Sequence, residues 1–316
     1  MPRFVPILFA ILVSCSKPAP EHRIRIATHR DPIAFLPLAI AEKQGYFREE
    51  HLTVTTDEMP GGSKALEALI GGSADVAAAS MSDALTLAAV GRDVQSFLVM
   101  YTRPMIALAV SPPMTDKIHS LPDLKGHTVG VSTRGSASEQ FLNYLLATNH
   151  LKADDVAIVA IGMSAASIAA VEHHEVDAAI LIASAIPNFE SRQPGAVFLC
   201  DTRTPEGTRK IFGSEVYPSL SLLANTKWLA DRDTAARLVR AVKKGMQWER
   251  EHSAMDLVPL LPPGSDLAAI QTMQAALSPD GQMPSAAFGI IQNFTAVSNE
   301  KVLTISRAPY TNDFVK

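Results

Sequence analysis

A chain of 316 residues, 47% hydrophobic and 19% charged, exceeds the commonest single-domain size and can bury the cores of two domains. Its formal net charge is −4 and no long Lys/Arg run is present, so no nucleic-acid partner is expected. The densest basic group, Arg237, Arg240, Lys243 and Lys244, reads as one solvated helix face.

Arg3 precedes a short apolar run, Phe4 to Val13, broken only by Pro6. That run is far shorter than the about 20 residues a bilayer core demands, so 1–14 reads as an export signal. Leu12-Val13-Ser14-Cys15 resembles a bacterial lipoprotein box, in which cleavage precedes a cysteine that becomes diacylglycerylated. On that resemblance Cys15 is the lipidated residue and 15–22 is a tether. The mature protein is then anchored in the bacterial cell envelope through lipid alone. Cys200 is left without a partner and, following Val197-Phe198-Leu199, reads as a buried strand-end thiol.

Arg23 to Ala27 alternates as a strand and leads into a polar loop. A helix begins at Pro37, which fits a first turn, and stops at Gly45. Leu52 to Thr56 is the next strand. Gly61-Gly62-Ser63 opens a helix with Ser63 expected as its N-cap, and Gly71-Gly72 closes it. Asp75 to Ala79 is a short buried strand, and Ser80-Met81-Ser82 enters a helix running to Gly91.

The same order then returns. Thr128 to Val131 is a strand that runs into Ser132 to Ser136, and Ser136 and Glu139 have capping-box spacing. Val156 to Ala160 is a strand, Ile168 to Val171 lies in a helix, and Asp177 to Ile182 is a strand. Leu66, Leu69 and Asp75 match Ile168, Val171 and Asp177 at a constant offset of 102. Two copies of one strand-helix unit predict an α/β protein with two lobes, each built on a mainly parallel sheet. Residues 101–111 and 214–225 are expected to cross between them. Lobe 1 is then 23–106 with 221–316, where residues from 228 onward are mainly helical, and lobe 2 is 107–220.

Pro37 to Phe47, Pro60 to Ser63, Ala74-Asp75-Val76, Leu121 to Gly126 and Val176-Asp177-Ala178 resemble, in order and spacing, the nitrate/sulfonate/taurine and thiamine-pyrimidine-precursor solute-binding proteins. The likeness covers most of 24–245. It implies a type II periplasmic-binding-protein fold, a monomer that delivers a small organic anion or heteroaromatic solute to an ABC permease, and no cofactor. Rival readings are an enzyme on the same fold and a lipoprotein that presents its ligand to a sensor. No G-x-S-x-G, P-loop or H-E-x-x-H motif supports the first.

In open α/β sheets the ligand sits beyond the carboxyl ends of the strands, where helix N-termini favour an anion. The candidates there are Arg30, Asp31, Phe35, Gly62, Ser63, Ser80, Met81, Ser82, Arg103, Arg134, Ser136, Ser138, Ser184 and Tyr217. The serines and glycines would donate hydrogen bonds or let backbone approach, the arginines would hold a carboxylate or sulfonate, and Phe35, Met81 and Tyr217 would form walls. His29-Arg30-Asp31 departs from the family pattern by placing both signs of charge in one loop; it suits a zwitterion or an internal Arg30–Asp31 pair. No metal site is expected, because His173-His174-Glu175 occupies a turn and adjacent residues point apart.

Overall fold

A computed structural model describes residues 22–316. Cys15, the export signal and all but the last residue of the tether lie outside the described residues. Ten strands alternate with helices: β1 (His22–His29), β2 (Leu52–Met59), β3 (Val76–Ser80), β4 (Val94–Val99), β5 (Ile106–Val110), β6 (Thr128–Val131), β7 (Ala157–Ala160), β8 (Ala178–Ile182), β9 (Val197–Asp201) and β10 (Leu220–Asn225). They form two five-stranded sheets, β2-β1-β3-β10-β4 and β7-β6-β8-β5-β9. In the first, β1 pairs in parallel with β2 and β3, while β10 runs antiparallel to β3 and β4. In the second, β6 pairs in parallel with β7 and β8, and β5 runs antiparallel to β8 and β9. Four of five strands in each sheet therefore share a direction.

The duplication extends to hydrogen bonds. The Arg25 N–H donates to Asp75 Oδ2 at 2.9 Å, and the Thr128 N–H donates to Asp177 Oδ2 at 2.9 Å. The same carboxylates hold the side chains of Arg25 and His127. Each aspartate thus fixes the start of its central strand against the next one.

Two strands lie where plain crossovers are expected. Ile106–Val110 and Leu220–Asn225 each insert into the lobe that the chain is entering, beside β8 and β3. The reason is burial: Ile106-Ala107-Leu108-Ala109-Val110 is covered along its whole length. Such a run lacks the alternation that marks a half-buried strand. The same holds for β4, a wholly buried strand that the sequence pattern does not signal.

The helix Arg232–Glu251 lies across the helix Leu36–Lys43, burying Leu238, Val239, Val242 and Met246. Its basic face is not merely solvated, because Arg240 pairs with Glu50 at 2.7 Å and Lys244 with Glu49 at 2.8 Å. The helix Leu267–Gln274 joins the first lobe's core through Ala269, Ile270 and Met273, while Ser285–Ala296 packs against the helices Met81–Ala89 and Ala137–Thr148. Phe294 packs against Tyr144, Phe212 and Tyr217, with ring centroids 5.2, 5.8 and 5.6 Å away. Among the described residues no helix is long and apolar enough to cross a membrane.

Candidate functional site

The carboxyl ends of β1, β3, β6 and β8 turn toward one another and enclose a cleft of about 150 Å3. A cavity near that size accommodates roughly one six-membered ring. The first sheet supplies His29, Asp31 and Ser80, and the second supplies Ser132, Ile182 and Ala183. Helix starts add Gly62 and Ser63, Ser82 and Asp83, and Ser136 to Ser138. Tyr101, Arg103 and Met105 come from the first crossover, Tyr217 from the second, and Phe212 from the end of the helix Pro205–Phe212. Met273 and Phe294 reach in from the C-terminal helices, so the region after 250 helps to wall the site.

Nine predicted residues share this cleft: Asp31, Gly62, Ser63, Ser80, Ser82, Arg103, Ser136, Ser138 and Tyr217. The other five stand elsewhere. Arg30 is exposed and makes no ion pair with Asp31. Phe35 is core and meets the His29 ring edge-on at 4.7 Å, behind the wall rather than in it. Met81 is fully buried because its helix turns that position toward the core. Arg134 pairs with Glu139 at 3.0 Å. Ser184 does not line the cleft but donates to Asp31 Oδ2 at 3.1 Å, joining the two lobes.

The caps also differ in detail. Gly61, not Ser63, is the N-cap of the helix Gly62–Gly71, and that helix start has no side-chain cap. Ser80 caps the next helix in a reciprocal box with Asp83, and Ser82 donates its N–H to Ser80 Oγ. Ser136 caps the helix Ala137–Thr148 as expected. Its hydroxyl and those of Ser132 and Ser138 form a closed triangle with edges of 3.1, 2.8 and 2.8 Å. Glu139 accepts from the Gly135 N–H at the same helix start. Two of the helix starts at the cleft, those capped by Ser80 and Ser136, therefore already hold a carboxylate of the chain.

Burial governs the electrostatics. It pushes the carboxyls of Asp31 and Asp83 up to about 6 and lowers the His29 imidazole to about 4, so His29 is neutral near pH 7. It also lowers Arg103, whose guanidinium donates to the carbonyls of Arg203 and Ala275. Behind the cleft wall the Tyr101 hydroxyl and the Glu249 carboxyl are buried side by side, and each has the other as its near polar neighbour. Burial, then the nearby charges of Glu249 and Asp31, hold the Tyr101 phenol well above its ordinary range. Burial raises Glu249 to about 8.

His29, Asp83, Tyr101, Met105, Met163, Phe212, Met273 and Phe294 were not among the predicted site residues. The Ser80-x-x-Asp83 spacing is a capping-box signal that could have found Asp83. The apolar walls come from segments too distant in sequence for any local pattern to unite. Cys200 sits at a strand end, 6% exposed, and burial pushes its thiol up to about 12. The His173–Glu175 segment is an exposed turn, with His174 in the left-handed region at φ 57°.

The family described as NMT1/THI5 like matches residues 33–254. A protein of Bordetella bronchiseptica RB50 superposes with a TM-score of 0.85 at 30% identity, over 93% of this chain and 95% of that one. YtlA of Bacillus subtilis (strain 168), provisionally named a binding protein, is 24% identical over 266 residues, 79% of this chain and 73% of its own length. The periplasmic aliphatic sulphonate binding protein SsuA of Escherichia coli shares the fold, with a TM-score of 0.66 at 19% identity, over 92% of this chain and 96% of its own.

Proposed function

The chain belongs to the NMT1/THI5-like family, and from that premise we propose that it is an exported solute-binding protein that captures one small molecule between two lobes and hands it to an ABC permease. The observation that carries this reading is the cleft itself: duplicated sheets aim their strand ends and helix starts at one ring-sized space. We divide the lobes at 23–106 with 221–316, and 107–220, and take the protein to act as a monomer. Asp31, Gly62, Ser63, Ser80, Ser82, Arg103, Ser136, Ser138 and Tyr217 are the residues placed to touch the solute.

Holding suits this cleft better than turnover. Cys200, the one cysteine nucleophile among the described residues, is a buried thiol away from the cleft. Native mass spectrometry of freshly purified protein is expected to show one small molecule bound per chain. Refolded, solute-stripped protein should gain thermal stability when that molecule is restored, by mass action. Steady chemical conversion of the bound compound would replace the binding reading with an enzymatic one.

Lipid anchoring through Cys15 is part of the same proposal, supported by the Leu12-Val13-Ser14-Cys15 box. Cys15→Ser is expected to move the protein from the membrane fraction to the soluble fraction of the envelope. A variant that still sediments with membranes would show that the anchor is not there.

A further inference from the structure

We propose that Asp31 is the anchor for a positively charged nitrogen, so that the solute of this cleft carries a protonated amine or amidine on a small apolar body. The inference rests on the solute-binding reading above and narrows it to a chemical class.

Asp31 is 4% exposed, yet its Oδ1 makes no hydrogen bond within the chain. Its other oxygen is occupied by Ser184 Oγ, which in turn lies 3.3 Å from Ser164 Oγ. A serine pair from the far lobe thus pins one side of the carboxylate, the backbone N–H groups of Ile33 and Ala34 ease its burial, and the residue lines the cleft with Oδ1 short of a full hydrogen bond. A carboxylate so placed is costly unless a cation or a donor joins it. Among the described residues no cation offsets its burial, which only Ser184 and the Ile33 and Ala34 N–H groups ease. A nitrogen cation from the solute would satisfy Oδ1 with a charge-assisted hydrogen bond. Tyr101, Phe212 and Tyr217 line the same cleft, and aromatic rings are attractive neighbours for a desolvated cation.

The alternative, a simple oxyanion, meets the wrong partners. At the helix start beside Ser80 the acceptor role is taken by Asp83, and at the start beside Ser136 it is taken by Glu139. Arg103 has two of its nitrogens committed to carbonyls, and Arg134 is committed to Glu139. The helix start at Gly62 remains uncapped, and it can take an acceptor elsewhere on the same solute. The titratable and charged groups around Asp31 are His29 and Arg30 on its own loop, Tyr101 and Arg103 on the crossover, Asp83, and Glu249 behind Tyr101. Of these, Arg30 is exposed and His29 is held neutral, which leaves Asp31 without a local counter-ion.

The test uses three ring-sized probes of different charge, benzamidine, benzamide and benzenesulfonate, with the affinity of each measured by calorimetry on solute-stripped protein. Benzamidine is expected to bind most tightly and benzenesulfonate least. Asp31→Asn should weaken benzamidine by roughly 30-fold or more while leaving benzamide nearly unchanged. On the unsubstituted protein, benzamidine affinity should fall about tenfold for each pH unit below the Asp31 value of about 6. This second readout needs no variant to fold. Benzenesulfonate binding as tightly as benzamidine, or a flat pH profile for benzamidine, overturns the cation assignment and leaves the solute-binding reading standing. A copurified solute without a basic nitrogen does the same. Failure of all three probes, with no copurified solute, removes both.

Discussion

Glu249→Gln is expected to raise the unfolding midpoint around pH 8 and to change it little near pH 4.5. Glu249 is 0% exposed, has only the Tyr101 hydroxyl as a side-chain partner, and is lifted by burial from 4.5 to about 8. Between those two values the folded chain holds a proton that the unfolded chain has lost. Stability therefore falls as pH rises through that window, and the full penalty stands above about 8. At about 1.4 kcal/mol per unit the full penalty is on the order of 5 kcal/mol, of which about 4 is already present at pH 8. The glutamine amide and the protonated carboxyl are both neutral, buried and beside the Tyr101 hydroxyl, so the two proteins start nearly level at acid pH. A gain of roughly 4 kcal/mol near pH 8, at about 2–4 °C each, predicts a rise of roughly 8–16 °C at the alkaline end. Asp31 and Asp83 slope the same way, but only up to about 6, while His29 slopes oppositely between about 4 and 6.5. The interval from 6.5 to about 8 thus isolates Glu249 from them, and scanning calorimetry there should show the wild-type midpoint falling and the variant flat. Parallel curves for the two proteins would mean that Glu249 is ionised in the fold at neutral pH.

This destabilising acid sits directly behind Tyr101, which lines the cleft, and near it lies Asp31 with one bare oxygen. Asp31, Tyr101 and Glu249, three of the buried side chains whose polar atoms are poorly satisfied, gather beneath the proposed site. That concentration is what is expected where function rather than stability selects residues.

The duplicated lobes were legible because their signals are local: strand, polar turn, helix start, and an aspartate repeated at a fixed offset. Asp75 and Asp177 could be matched by counting, and their hydrogen bonds prove equivalent. Loop residues such as Gly62, Ser80 and Ser136 were legible for the same reason, since strand ends in such a fold face the ligand. Less was readable about direction. Met81 and Ser82 are neighbours on one helix start, yet only Ser82 faces the cleft, and a cap displaced by one residue decides which. Arg134 looked like an anion ligand until Glu139, five residues on, claimed it. Glu249 and Phe294 were invisible as site neighbours because their places depend on how distant helices pack, which no short window encodes.

Gly245→Ala should destabilise the protein by about 2 kcal/mol, although alanine is the better helix former. Gly245 lies inside the helix Arg232–Glu251, where replacing glycine ordinarily gains about 1 kcal/mol. A Cβ at this position, however, would stand 2.2 Å from the carbonyl oxygen of Pro37 and 3.4 Å from the Ala41 nitrogen. Those are backbone atoms, so no rotamer change relieves the clash and the two helices must separate. Overpacking of that kind costs about 1–3 kcal/mol or more, which outweighs the propensity gain. Gly289 supplies the internal control: it is also helical, in Ser285–Ala296, but a Cβ there meets nothing within 4 Å. Gly289→Ala should therefore stabilise by up to about 1 kcal/mol, and opposite signs for the two substitutions in denaturant titrations would confirm that packing decides. The displaced helix Leu36–Lys43 follows directly on the loop that carries Asp31, so Gly245→Ala should weaken solute binding as well. A variant less stable yet binding with unchanged affinity would show that this loop is held by the Ser184 contact rather than by the helix behind it.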